Sequence, residues 1–163
     1  MILSAKQSLV LSIINYCLRV WGITTKEQID KVQKLQNFAA RVAHGGVRKF
    51  DHVTPVIKEL KWLKIENKIV FDICIFTYKI CHNMLPNWLF SFPINHDINI
   101  RTTRQSSNLY VARKKTNIGT RAVSVKGPKL WNTIPSSIQN QPTLIRFKEQ
   151  LKNTFSRSKL YFV

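Results

Sequence analysis

The sequence predicts a mainly α-helical protein: a small helical bundle around a long central helix, followed by a basic extended arm and a C-terminal helix. Three observations lead to that class. In the segment 63–85, Ile65, Ile69, Ile73, Phe76, Ile80 and Met84 recur at helical spacing, and Val70, Phe71, Cys74, Ile75 and Tyr78 widen the stripe until little of the circumference is polar. A helix apolar nearly all round belongs in a core, so the rest of the chain is expected to wrap it. Shorter segments on both sides carry the same period between recognisable caps. Finally, 163 residues, 44% of them hydrophobic, suffice for one domain with a sizeable core.

Taken in order, residues 2–21 read as an amphipathic helix with Leu9, Ile13, Tyr16 and Val20 on its apolar face, Lys6 and Arg19 at its wetter edges, and Gly22 as a stop. Thr25-Lys26-Glu27-Gln28 has the form of a capping box. The helix it opens runs to about Ala43, with Ile29, Val32, Leu35, Phe38/Ala39 and Val42 as its apolar face, Lys31, Lys34 and Arg41 off it, and Gly45-Gly46 closing it. Asp51 or Thr54 is expected to cap a short third helix with Pro55 in its first turn and Val56, Leu60 and Leu63 inward. The central helix follows, ended by Pro86, which disfavours α geometry in the residue before it. Lys64, Glu66, Lys68, Asp72 and Lys79 interrupt every window of about 18 residues that a membrane span needs, so no membrane partner is expected.

From residue 98 onward the chain changes character. Thirteen Lys or Arg against the single acid Glu149 give this part a net +12, while thirteen against seven give residues 1–97 a net +6. Residues 1–97 are therefore read as a helical body, and 98–163 as a basic arm, a knot and a C-terminal helix packed on that body. Between Asn95 and Gly127 the apolar periodicity is poor, which predicts an extended arm with short strands at 109–111 and 122–125. The knot is Gly127-Pro128-Lys129-Leu130-Trp131-Asn132-Thr133-Ile134-Pro135, with Trp131 and Ile134 pinned inward. Thr143 then caps a last helix with Ile145/Phe147, Leu151 and Phe155 inward and Arg146, Lys148 and Lys152 outward.

A net charge of +18 on a foldable chain is usually the footprint of a polyanion, most often nucleic acid. Three cysteines, Cys17, Cys74 and Cys81, cannot all pair and fall in apolar helical patterns, which suits a reducing, intracellular compartment, nucleus or cytoplasm. The first residues lack a signal-peptide pattern, so no export is expected.

The acids Glu27, Asp30, Asp51, Glu59, Glu66, Asp72, Asp97 and Glu149 are never adjacent, which gives no paired carboxylates for two-metal chemistry. Gly45-Gly46 lacks the spacing of a phosphate loop. Cys74, Cys81 and His82 do not form the two close ligand pairs of a structural zinc site, and nothing marks one of the thiols as a nucleophile. No catalytic residue, metal or cofactor is expected. Cations interleaved with Tyr110 and Trp131 are different. Arg101, Arg104, Arg113, Lys114, Lys115, Arg121, Lys126 and Lys129 can neutralise phosphates, and aromatic rings can stack on exposed bases. These eight are the candidate nucleic-acid-binding residues.

With these residues assembled, the chain resembles the region that follows the polymerase core in reverse transcriptases of non-LTR retrotransposons, particularly jockey-like elements. The matching phrases are Ile14-Asn15-Tyr16 with Val20-Trp21-Gly22, Leu35-Gln36-Asn37 with Ala40-Arg41, Leu60-Lys61-Trp62-Leu63, and Tyr78-Lys79 with Pro86. They continue as Thr103-Arg104, Arg113 with Thr116-Asn117 and Gly119, Gly127 to Asn132 with Pro135, and Phe147-Lys148 with Leu151. The resemblance implies a C-terminal, thumb-like and connecting piece of an RNA-directed DNA polymerase, partnered by an upstream polymerase domain of the parent protein. The family's Tyr-x-Asp-Asp motif does not occur in this chain, nor does the Cys/His knuckle of some related elements. The expected function is therefore a non-catalytic fragment that binds template RNA or primer–template duplex through phosphate contacts, without sequence preference. The alternative is a helical protein-interaction or structural module that binds no nucleic acid.

Overall fold

A computed structural model describes residues 11–45, 48, 51–86, 91–95 and 107–157. It is mainly helical, as the periodicity predicts. The helices are α1 (Leu18–Trp21), α2 (Lys26–His44), α3 (Thr54–Glu59), α4 (Ile65–Cys81), α5 (Asn117–Arg121), α6 (Val123–Trp131), α7 (Ser136–Gln139) and α8 (Leu144–Arg157), and residues 11–15 are helical ahead of α1. The chain divides into two compact units, Met1–Ile69 and Val70–Val163, so the division falls inside α4.

In the first unit the helix expected over 2–21 does not run through. Residues 2–10 lie outside those described, and Cys17, with φ of 49°, takes a left-handed conformation that separates residues 11–15 from α1. Leu18, just after that turn, is buried, while Ile13, Tyr16 and Val20 face solvent. Helix α2 starts and stops where expected, although the Thr25 side chain makes no capping hydrogen bond. Gly45 ends it with φ of 76°, its N–H donating to Arg41 O, while Gly46 lies outside the described residues.

The orientation of α2 departs from its apolar pattern. Gln36, Ala40 and Ala43 are buried, whereas Leu35, Phe38 and Val42 are 64, 65 and 50% exposed. Two amides account for this. Gln36 Nε2 donates to Leu63 O at 2.9 Å, and Gln33 Oε1 accepts the Ile65 N–H at 2.9 Å, so the pair holds both sides of the turn that opens α4. Gln33 Nε2 also donates to Gln36 Oε1 and Asn37 Oδ1. The first N–H groups of a helix have no partner within it, and Gln33 supplies one. Beneath α2, Ala40 packs with Val53, Val56 and Ile57 and with half-buried Leu60 and Trp62. Helix α3 is capped by neither Asp51 nor Thr54: its N-cap is Val53, with Pro55 in the first turn as expected. Lys61, at φ of 55°, ends it, with the Trp62 N–H donating to Ile57 O.

Helix α4 buries Ile65, Ile69, Ile73 and Ile80, as its period predicts. It ends before Pro86. Asn83 adopts φ of 53°, its N–H donates to Ile80 O and the Met84 N–H donates to Lys79 O, a Schellman turn that leaves Met84 exposed.

The second unit is built on aromatic contacts. Tyr78 is wholly buried, stacks on Phe147 with ring centroids 4.4 Å apart, and donates its hydroxyl to Gln141 O at 2.6 Å. Trp131 lies within ring-contact distance of both, and Phe71 meets Phe155 edge-on. The knot is pinned inward as expected, with Trp131 and Ile134 buried. Asn132 holds Leu109 at both backbone groups, accepting its N–H and donating to its carbonyl, and Gln139 Nε2 donates to Trp131 O and Ile134 O.

In the expected extended arm, described residues 107–116 are non-helical, whereas 117–121 and 123–127 are helical. Residues 122–125 open α6 instead of forming a strand, and Leu109 makes only an isolated antiparallel bridge to Ile94. Burial of Val125, Leu130 and Trp131 around most of the circumference of α6 outweighs the poor helix propensity of Gly127 and Pro128. Gly127 is required there, because a Cβ would stand 2.9 Å from Thr77 Oγ1 and 3.1 Å from a Phe92 ring carbon. In α8, Phe147 and Leu151 are buried as expected, while Ile145 turns to solvent.

Candidate nucleic-acid interface

The basic residues expected to bind nucleic acid fall into three groups. Arg101 and Arg104 lie outside the described residues. Arg113, Lys114 and Lys115 are exposed on the non-helical segment that leads into α5. Thr116 caps α5, its hydroxyl accepting the Gly119 N–H at 3.1 Å. A Cβ at Gly119 would stand 3.0 Å from Lys114 Cβ, so the lysine stem runs alongside the helix.

The third group straddles the junction of α5 and α6. Arg121 ends α5, its Nε donating to Asn117 O, while Lys126 and Lys129 sit three residues apart on α6. Burial lowers the Lys126 ammonium below the ordinary lysine range, and the charges of Arg121 and Lys129 lower it further. Three cations thus converge, and among the described residues none of them has an acidic partner. Such an arrangement raises the energy of the free protein and is relieved by an anion.

Trp131 does not serve as a stacking platform. It is buried in the aromatic core, which leaves half-buried Tyr110 as the ring nearest in sequence to Arg113. The site offered by these residues is electrostatic.

The thiols of Cys74 and Cys81 offer no reactive group. Burial pushes Cys74 up to about 12 and Cys81 up to about 11, the latter partly offset by a backbone hydrogen bond, so both stay protonated near neutrality. His82 stands edge-on to Tyr78 at 4.0 Å between ring centroids, its Nε2 buried without a hydrogen-bond partner. Among the described residues no group of three His, Cys, Asp or Glu could hold a metal ion.

A concave region lies in the first unit and has no counterpart in the sequence reading. Asp30, Asp51 and Glu66, far apart in sequence, line a cleft of about 500 Å³ together with Gln33, Asn37, Arg41, His52 and Lys64. Arg41 Nη2 donates to Asp51 O at 3.1 Å, while its Nε is buried without a hydrogen-bond partner. Residue spacing carries no signal for this gathering, because the turns between α2 and α4 create it. Carboxylates dilute its attraction for phosphate, so the cluster on α5 and α6 is the better polyanion site. Compared with known proteins, the chain matches no family model, no curated protein and no solved structure.

Proposed function

We propose that the chain is a non-catalytic, nucleic-acid-binding module of a non-LTR, jockey-like retrotransposon reverse transcriptase, gripping template RNA or primer–template duplex through its phosphates. In this reading the polymerase chemistry belongs to an upstream domain of the parent protein. The observation that carries it is the convergence of Arg121, Lys126 and Lys129 without a carboxylate to balance them. The exposed Arg113, Lys114 and Lys115, on the segment leading into α5, extend the cationic surface. Phosphate contacts position a strand without reading its bases, so the module is expected to be indifferent to sequence.

Fluorescence anisotropy with an arbitrary labelled single strand and duplex, at several salt concentrations, tests this reading. Replacing Lys126 and Lys129 together by Ala should flatten the log–log salt dependence by about 1.4 on single strands and about 1.8 on duplex. Lys26→Ala, near the start of α2, should change it far less. Because the Lys126 charge is lost at a lower pH than that of an ordinary lysine, affinity should begin to fall early as pH rises toward the lysine range. Lys126→Arg keeps the charge and should abolish that early fall. Folding should not suffer in the double variant, since it removes mutual repulsion. A salt slope near zero, or equal losses from Lys26→Ala and from the pair, would replace this reading with the helical interaction module.

A further inference from the structure

Helix α2 turns its bulkiest hydrophobic residues to solvent. Leu35, Phe38 and Val42 follow one another at spacings of three and four, which sets them in a single stripe about 10 Å long. The side of α2 toward its own unit is meanwhile taken by Gln36, Ala40 and Ala43, and the Gln36 and Gln33 amides tie it to the backbone at Leu63 and Ile65. The rotation of the helix is therefore fixed from within, and the stripe is held outward on a rigid element. Ile13, Tyr16 and Val20 are also exposed at the same spacing, but the left-handed Cys17 breaks their helix, so α2 alone offers a continuous face.

We infer that this face is a docking surface for an amphipathic helix of a partner protein whose apolar stripe is edged by carboxylates. Charge selects that occupant. Lys34 flanks the stripe on its Phe38 side and has no acidic partner among the described residues, whereas Lys31, in line with the stripe one turn before Leu35, already pairs with Glu27 at 3.0 Å. A second copy of this chain would bring a net +18 against +18. A lipid surface favours a helix with cations along both edges of its apolar face, while here the other edge carries Gln28 and Ala39. Paired apolar stripes at this spacing with complementary flanking charges are how helices recognise one another. This face belongs to the first unit and the cationic cluster to the second, and the inference does not depend on the nucleic-acid reading.

The test uses the full chain and two synthetic helical peptides of about three heptads, each with Leu at the stripe positions, one edged by Glu and its twin by Lys. Fluorescence anisotropy should show binding of the Glu peptide and at least about tenfold weaker binding of the Lys peptide. Phe38→Ser should weaken the Glu peptide at least about tenfold, and Lys34→Glu should narrow the difference between the peptides. Both residues are exposed, and an unchanged circular-dichroism melt checks that the variants fold. Equal binding of the two peptides, or of neither, overturns the proposal. So does a concentration-dependent dimer in sedimentation that Phe38→Ser abolishes, which makes the occupant a second copy. Cosedimentation with phosphatidylserine vesicles that Phe38→Ser abolishes, without peptide binding, assigns the face to a membrane surface and overturns it too.

Discussion

Helices α2 and α8 are written in the same amphipathic idiom and placed in opposite ways. In α8, Phe147 and Leu151 are almost wholly buried, and the cations flanking them, Arg146 and Lys152, face solvent. In α2 the equivalent apolar residues are the exposed ones, and a glutamine and two alanines are buried instead. The difference is in what each unit offers as a partner. The second unit presents aromatic surface at Tyr78 and Trp131, which an apolar stripe can cover. In the first unit, the backbone at Leu63 and Ile65 must be hydrogen-bonded, and amides satisfy it where Leu or Phe could not. A hydrophobic stripe thus says which side of a helix is apolar, not which side is covered.

Three substitutions put that contrast to the test by thermal or urea unfolding. The largest loss is expected from Leu151→Ala, which empties a closed site in the core of the second unit and should lower stability by about 3 kcal/mol. A loss below about 1 kcal/mol would show that α8 is not packed as described. Gln36→Ala should come next, at about 2 kcal/mol, because it strands the Leu63 carbonyl and removes one of the acceptors of the Gln33 amide. An apolar residue of similar volume, Gln36→Leu, should do no better, since it leaves the same carbonyl unpaired. The smallest effect belongs to Leu35→Ala, within about 0.5 kcal/mol of the parent, even though the sequence ranks Leu35 among the core residues of its helix. If Leu35→Ala costs as much as Leu151→Ala, the two helices are alike after all and the stripe on α2 is covered.

The sequence by itself determined the helical class, the inward isoleucines of α4, Phe147 and Leu151 in α8, the glycine that ends α2 and the inward anchoring of Trp131 and Ile134. All of these rest on local period or on single-residue backbone preference, which neighbours in sequence decide. The concentration of positive charge after residue 98 was equally legible, since composition alone reports it. Only tertiary structure decided the rest. The turn at Cys17, the rotation of α2 and the stop at Asn83 depend on hydrogen bonds whose partners are chosen by the fold. Residues 122–125 join a helix because Val125, Leu130 and Trp131 gain more from burial than Gly127 and Pro128 lose in propensity. Within the candidate site, the sequence named Arg121, Lys126 and Lys129 but could not show that they converge, because α5 and α6 do not appear in its apolar pattern. It was likewise silent on the meeting of Asp30, Asp51 and Glu66 in one cleft, for charge can be counted along a chain while proximity is settled only when distant segments pack.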